Sequence, residues 1–167
     1  MNPLQSFTTS RLLIVAGKGG VGKTTVTAAL AVAAARLGLR VAVVELDGRT
    51  GLLELLGGPD PDRRLGYDEA TVVEGLGPDG SGRISARSID APTALVDYLT
   101  SHGMGAVSRR LVSGGVVDVV STAAPGLEDL LVLGKVKQIE QSGTADLVIV
   151  DGGIAQDGQS IFGRIPP

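Results

Sequence analysis

The sequence predicts an α/β fold, a mostly parallel sheet with helices on both faces. Three observations carry that expectation. A short apolar run, a glycine-rich loop and a helical stretch follow one another between Leu12 and Leu37. A second apolar run, Arg40–Leu46, follows at a distance that implies a right-handed parallel crossover. Hydrophobic residues make up 43% of the 167, but aromatic ones only 2%. Core volume therefore comes from Ala, Val, Leu and Ile, which suit helices lying close against a parallel sheet.

Composition also excludes several classes. The net charge of −3 gives no electrostatic footprint for DNA, RNA or an anionic membrane. The absence of cysteine removes disulfides, thiolate metal sites and Cys nucleophiles together, and agrees with a reducing compartment. Met1 to Arg11 lacks a charged segment followed by an apolar run, so no signal peptide is expected. Ala28–Ala35, the longest unbroken apolar run of the first helix, falls far short of the roughly 20 residues of a membrane span. A cytoplasmic protein with no integral membrane segment is the expectation.

The elements follow in order. Leu12–Ala16 reads as a strand apolar on both faces, as buried parallel strands are. Residues 22–37 read as a helix whose stripe is Val26, Leu30, Ala33 and Leu37, with Gly38 stopping it. Arg40–Leu46 is the second strand. Asp47 to Gly51 is a loop, and Leu52–Leu56 a short helical turn. Glu69–Glu74 and Arg83–Ile89 flank a glycine-rich turn and predict an antiparallel hairpin. Ala91–Thr100, with Leu95 and Leu99 at i, i+4, and Gly105–Val112 are helical. Val116–Val120 fits strand or helix equally. Pro125–Gln141 is a helix with Pro125 at its first position and Leu127, Leu130, Leu131, Leu133, Val136 and Ile139 on its apolar face. Leu147–Val150 is the last strand, ended by Asp151. Residues 1–151 form the expected domain, and 152–167 a glycine-rich, polar tail.

Chemistry concentrates in Gly17-Lys18-Gly19-Gly20-Val21-Gly22-Lys23-Thr24-Thr25. This stretch fits G-x-x-x-x-G-K-[ST], the phosphate-binding P-loop. Its glycines let backbone N–H groups turn towards phosphate oxygens, and the following helix adds a partial positive charge. Lys23 is placed to neutralise the β- and γ-phosphates, and the Thr24 hydroxyl to ligate Mg²⁺. The expected fold is thus the three-layer P-loop NTPase fold, with ATP and Mg²⁺ as its ligands.

Other residues stand beside the loop. Asp47 lies at the carboxyl end of the second strand, where open parallel sheets bind ligands. It suits a water-mediated Mg²⁺ contact or orientation of an attacking water; the alternative is an Asx turn with Arg49. Asp151 follows an apolar strand, the Walker-B pattern of an Mg²⁺ contact. Glu45, two residues before Asp47, is either a further polar group near the metal or a solvated strand end. Lys18 is not required by an ordinary P-loop. It suits a cation supplied to a facing subunit, or a solvated surface lysine. Arg49 and Thr50 read as loop surface, His102 as a helix C-terminal cap, and Arg109-Arg110 as a solvated helix face.

The loop resembles the deviant Walker A motif, whose signature lysine is Lys18. That motif belongs to a group containing the MinD/ParA partitioning ATPases, the nitrogenase-iron-protein-like ATPases and the ArsA-type ATPases. Two stretches favour the bacterial ArsA-like branch. Val43-Val44-Glu45-Leu46-Asp47-Gly48-Arg49-Thr50-Gly51-Leu52 resembles its acidic-Gly-Arg-x-Gly segment. Thr122 to Lys135 resembles its Pro-Gly-hydrophobic-acidic helix start. MinD/ParA proteins usually carry an Asn shortly after the loop's threonines, where Val26, Thr27 and Ala28 stand here.

The resemblance runs from about Leu12 to Asp151. It implies a dimeric ATPase, a homodimer or a heterodimer with a related ATPase. Lys18 would reach across that dimer, Asp47 would be the switch I aspartate that polarises water, and Asp151 would open switch II. The departure comes after Asp151, where the family continues Pro-rich and this chain reads Gly152-Gly153-Ile154-Ala155-Gln156-Asp157-Gly158. Family members carry about as many residues again, including the adenine pocket. The expectation is a truncated or frame-shifted chain whose first strand is left as an exposed apolar edge, an aggregation hazard. Two alternatives to an ATP-hydrolysing switch follow: a non-hydrolysing nucleotide-dependent interaction module, or an inactive fragment. Metalloid pumping has no cysteine to support it. Tail-anchored-protein targeting has no Met-rich stretch, only two methionines being present.

Overall fold

The computed structural model describes residues 10–46, 51–58, 64–113 and 127–152. In chain order these form β1 (Leu12–Val15), α1 (Lys23–Arg36), β2 (Arg40–Leu46), α2 (Gly51–Leu55), β3 (Ala70–Leu76), β4 (Gly82–Ile89), α3 (Ala91–Ser101), α4 (Gly105–Ser113), α5 (Leu127–Ser142) and β5 (Leu147–Asp151). Among the described residues the strands make one sheet in the order β1-β5-β2-β4-β3. β1, β5, β2 and β4 run parallel, and β3 returns antiparallel on β4. The expected hairpin is therefore present, with two register shifts along it.

Side-chain alternation divides the core between two faces. Val41, Val43, Ile84, Ala86, Leu147 and Ile149 point towards α1 and α2. Ala42, Val44, Ile89, Val148 and Val150 point towards α3 and α5. β2 and β5 are covered on both sides, so each reads as a continuous apolar run. Burying each Val, Leu or Ile of this set contributes roughly 1.5–3 kcal/mol, as an upper bound.

Strand β1 behaves otherwise. The sequence suggests a buried strand, but β1 lies at the sheet edge and Ile14 is 40% exposed. Nothing among the described residues pairs with its outer side. Among the described residues β1 therefore forms an apolar edge of the sheet. β5, the last strand in sequence, inserts between β1 and β2.

The face of α1 also differs from expectation. The buried residues are Thr27, Ala28, Ala31, Ala34 and Ala35, whereas Val26 and Leu37 are about half exposed. Helical spacing fits both stripes; the smaller side chains win because they let the helix axis approach the sheet. Gly38 follows the helix with φ of 88°, and its N–H donates to the Ala35 carbonyl at 2.9 Å. In α5, Val132, Val136 and Ile139 are buried, while Leu130 is 67% exposed and Leu133 37%. Six apolar residues are more than one face of this helix can cover. Pro125 and Val116–Val120 lie outside the described residues.

Caps place the remaining helices. Asp90 precedes α3 and its Oδ1 accepts from the Thr93 N–H at 2.8 Å, a cap the sequence reading missed. At the other end His102 caps the same helix as expected, with Nδ1 2.8 Å from the Tyr98 carbonyl. At the amino ends of the strands Arg40 clasps Asp146, Nη2 to Oδ1 at 2.7 Å and Nε to Oδ2 at 3.0 Å. This pair fastens β2 to β5 at the edge away from the glycine loop.

Candidate functional site

The glycine loop joins the end of β1 to the start of α1. Gly22 stands at the helix N-cap position with φ of 83°, a left-handed conformation that favours glycine. No side chain caps the helix, and its first turn carries no acidic residue. The leading N–H groups of α1 therefore meet no capping side chain, and the dipole of the helix adds partial positive charge there. The Val26 N–H closes the first helical turn on the Gly22 carbonyl at 3.0 Å.

Lys23 is the first residue of α1, and its Nζ donates to the Lys18 carbonyl at 3.0 Å. The ammonium thus lies over its own loop. Gly17 is also close packed, since a Cβ there would stand 3.3 Å from Val21 Cγ2. Gly17, Lys18, Gly19, Gly20, Val21 and Gly22 are all exposed, as is Thr25, while Lys23 and Thr24 are partly covered. The Lys18 side chain projects from this exposed turn.

Asp151 ends β5, one strand away from the loop. Its Cα pairs with Val15, the last residue of β1, on one side and with Glu45 of β2 on the other. The next residue, Gly152, donates its N–H to the Val15 carbonyl at 3.0 Å. Alternation along β5 puts Asp151 on the face of Leu147 and Ile149, which is the face of α1. Asp151 is 6% exposed and Glu45 3%. Glu45 is therefore no solvated strand end. The sequence held a usable signal, because a glutamate inside a strand buried on both faces must be accommodated by other polar groups.

Asp47, Arg49 and Thr50 lie outside the described residues. Among the predicted site residues, then, Gly17–Thr25 and Asp151 come together at one edge of the sheet. The oxygen donors Thr24 and Asp151 are of the type that hard Mg²⁺ prefers. Among the described residues no helix is long and apolar enough to cross a membrane.

Two features away from the loop were not read from the sequence. Lys135 Nζ donates to Asp97 Oδ2 at 2.8 Å and stands 5.2 Å from the centre of the Tyr67 ring, whose hydroxyl also donates to Asp97. The hydrogen bond from Lys135 holds the Asp97 carboxyl below its ordinary range. Burial, then the charge of Asp97, pushes the Tyr67 phenol up. Beside this network α3 and α5 enclose an apolar groove of about 580 Å³, lined by Leu95, Leu99, Leu130 and Leu131 among others. Leu95 and Leu99 thus mark the wall of a groove rather than the centre of the core.

A mostly parallel sheet covered on both faces, with strand β1 running through a glycine loop into α1, defines the P-loop NTPase fold. The chain belongs to the CobQ/CobB/MinD/ParA nucleotide binding domain family, whose pattern matches residues 12–159. Several of its relatives carry ATPase names. It is 37% identical over 129 residues to ATPase BagA of Mycobacterium tuberculosis, covering 77% of this chain and 36% of that protein. It is 30% identical to ATPase ARSA1 of Chlamydomonas reinhardtii over 79% of this chain and 19% of that protein. It is 28% identical to ATPase GET3 of Chaetomium globosum over 84% of this chain and 38% of that protein. The chain thus spans between about a fifth and little more than a third of the length of these relatives.

Proposed function

We propose that this domain binds ATP with Mg²⁺ and hydrolyses it, serving as a nucleotide-driven, dimerising switch. The observation that carries the reading is the position of Lys23 Nζ on the Lys18 carbonyl, over an uncapped helix start and one strand from a buried aspartate. The loop N–H groups of Gly17–Thr25 would hold the β- and γ-phosphates, and Lys23 would neutralise them by leaving its carbonyl partner. Thr24 and Asp151 would hold Mg²⁺, with Asp47 as a further contact; the ion supplies charge stabilisation on the phosphate oxygens.

Asp47 would orient the attacking water. Attack at the γ-phosphorus breaks its bond to the β–γ bridging oxygen and releases ADP and inorganic phosphate. Lys18 projects from an exposed turn, which suits delivery of its charge to the nucleotide of a facing copy or a related ATPase. The absence of cysteine and the net charge of −3 fit a cytoplasmic switch without nucleic-acid contacts.

The test is calorimetric binding of ADP and of ATP·Mg²⁺ to the 167-residue chain, with phosphate release measured alongside. Binding with turnover supports the proposal. A Lys18→Ala variant is expected to bind ATP normally and to turn over at least about a hundredfold more slowly, given what a trans-supplied cation contributes. Unchanged turnover would remove the trans role of Lys18. Binding without turnover in the wild type assigns a non-hydrolysing interaction module instead, and no binding an inactive one.

A further inference from the structure

We propose that Glu45 is a positioning residue for Asp151 and sets how strongly Mg²⁺ supports nucleotide binding at the loop. This rests on the reading of Asp151 as an Mg²⁺ contact.

Val15, Asp151, Glu45 and Ser88 form one transverse row across β1, β5, β2 and β4. Neighbouring strands lie about 4.8 Å apart, so Glu45 is two strand spacings from the strand that leads into the loop, and Asp151 one. Alternation turns Asp151 and Glu45 to the α1 face. Both are more than nine-tenths buried. Water therefore screens the two groups little, and each fixes the surroundings of the other.

The consequence concerns orientation and charge together. Asp151 has Val15 on one side, whose side chain offers no polar atom, and Glu45 on the other. Neither of the two carboxylates carries a donor, so the like charge of Glu45 disfavours Asp151 rotamers that turn towards it and biases that carboxylate towards the β1 side, where the loop begins. A cation beside Asp151 also gains from the second carboxylate at longer range. Groups that orient a metal ligand in this way affect metal affinity without touching the metal. A purely structural Glu45 would instead stabilise the sheet and leave the effect of Mg²⁺ unaltered.

The experiment measures ADP affinity of the 167-residue chain by calorimetry, with saturating Mg²⁺ and with EDTA, for wild type, Glu45→Gln and Glu45→Asp. Glu45→Gln keeps length and shape but removes the charge and replaces one acceptor oxygen with an N–H donor, to which Asp151 would be drawn. It is expected to cut the Mg²⁺-induced gain in ADP affinity about tenfold while leaving the EDTA affinity within about twofold. Glu45→Asp keeps the charge but draws it back by one methylene, and is expected to cut the gain about threefold; an undiminished gain there also overturns the proposal. It also reports on the proposal if the glutamine variant fails to fold, since loss of the gain there, with EDTA affinity intact, again marks positioning. An unchanged Mg²⁺ gain in Glu45→Gln overturns the proposal, as does an equal loss of affinity in both conditions. If wild-type protein binds ADP without any Mg²⁺ effect, the metal role of Asp151 falls and this inference with it. If it binds no nucleotide at all, the proposed function itself falls.

Discussion

Lys23 Nζ lies 3.0 Å from the Lys18 carbonyl, so one lysine of the loop closes on the backbone of the other. The bond is exposed and spans five residues, which makes it inexpensive to break. A phosphate that takes the ammonium also releases the peptide that carries Lys18. Both lysines are therefore coupled to the same event.

Replacing Lys23 by alanine should weaken ATP·Mg²⁺ binding at least about tenfold, the cost of losing one charge-assisted hydrogen bond of roughly 1.5–3 kcal/mol. The fold should survive, because the contact is on the surface. Calorimetry paired with a circular-dichroism melt checks both halves of this expectation. Tight binding by Lys23→Ala would argue against the loop as the phosphate site.

Gly82 begins β4 where the β3–β4 hairpin crosses the end of α1. A Cβ there would overlap the Ala35 carbonyl, and the hairpin further bonds α1 through Ser81 Oγ to the Gly38 carbonyl at 3.0 Å. The crowding atoms are backbone and cannot turn aside. Gly82→Ala is expected to destabilise the domain by roughly 1–3 kcal/mol, as overpacking does. Urea unfolding, with the same slope and a lower midpoint, would confirm it; an unchanged midpoint would contradict the close approach.

The Arg40–Asp146 pair predicts a pH dependence. The hydrogen bond from Arg40 holds the Asp146 carboxyl below its ordinary range. A group whose folded value is lowered contributes stability that is fully present above its unfolded value of about 3.9. That contribution is lost as pH falls through the lower folded value. Wild type and Asp146→Asn should therefore differ in melting temperature at neutral pH and converge as pH falls through that lowered folded value. A difference that persists unchanged into acid would assign the effect of the substitution to something other than this ionisation.

Strand β1 should govern self-association. Its outer edge is unpaired among the described residues, and Ile14 leaves apolar surface exposed. A charge on an edge strand opposes strand-to-strand addition. Ile14→Lys is expected to slow the rise of light scattering on concentration or mild heating. Equal scattering by the two proteins would show that this edge is not the contact.

The order of elements was legible from residue pattern alone. Apolar runs located β2 and β5 to within about a residue, because strands covered on both faces need no alternation to be seen, and the glycine-rich turn located β3 and β4. The glycine loop was legible because its spacing answers to the geometry of a phosphate. The facing stripe of α1 was not. Alanines are weak markers in a sequence, yet they decide how closely a helix approaches a sheet.

The sequence by itself determined the local chemistry: a P-loop from Gly17 to Thr25, a strand ending in Asp151, and a cap at His102. These depend on neighbours in the chain and on backbone conformations that few residues allow. Only the tertiary structure decided which distant residues share an environment. β5 enters the sheet between β1 and β2, and that non-local pairing sets Asp151 between Val15 and Glu45. The same pairing removes Glu45 from water and leaves β1 at an edge. Strand order depends on how separate faces are buried together, and no stretch of sequence contains that information alone.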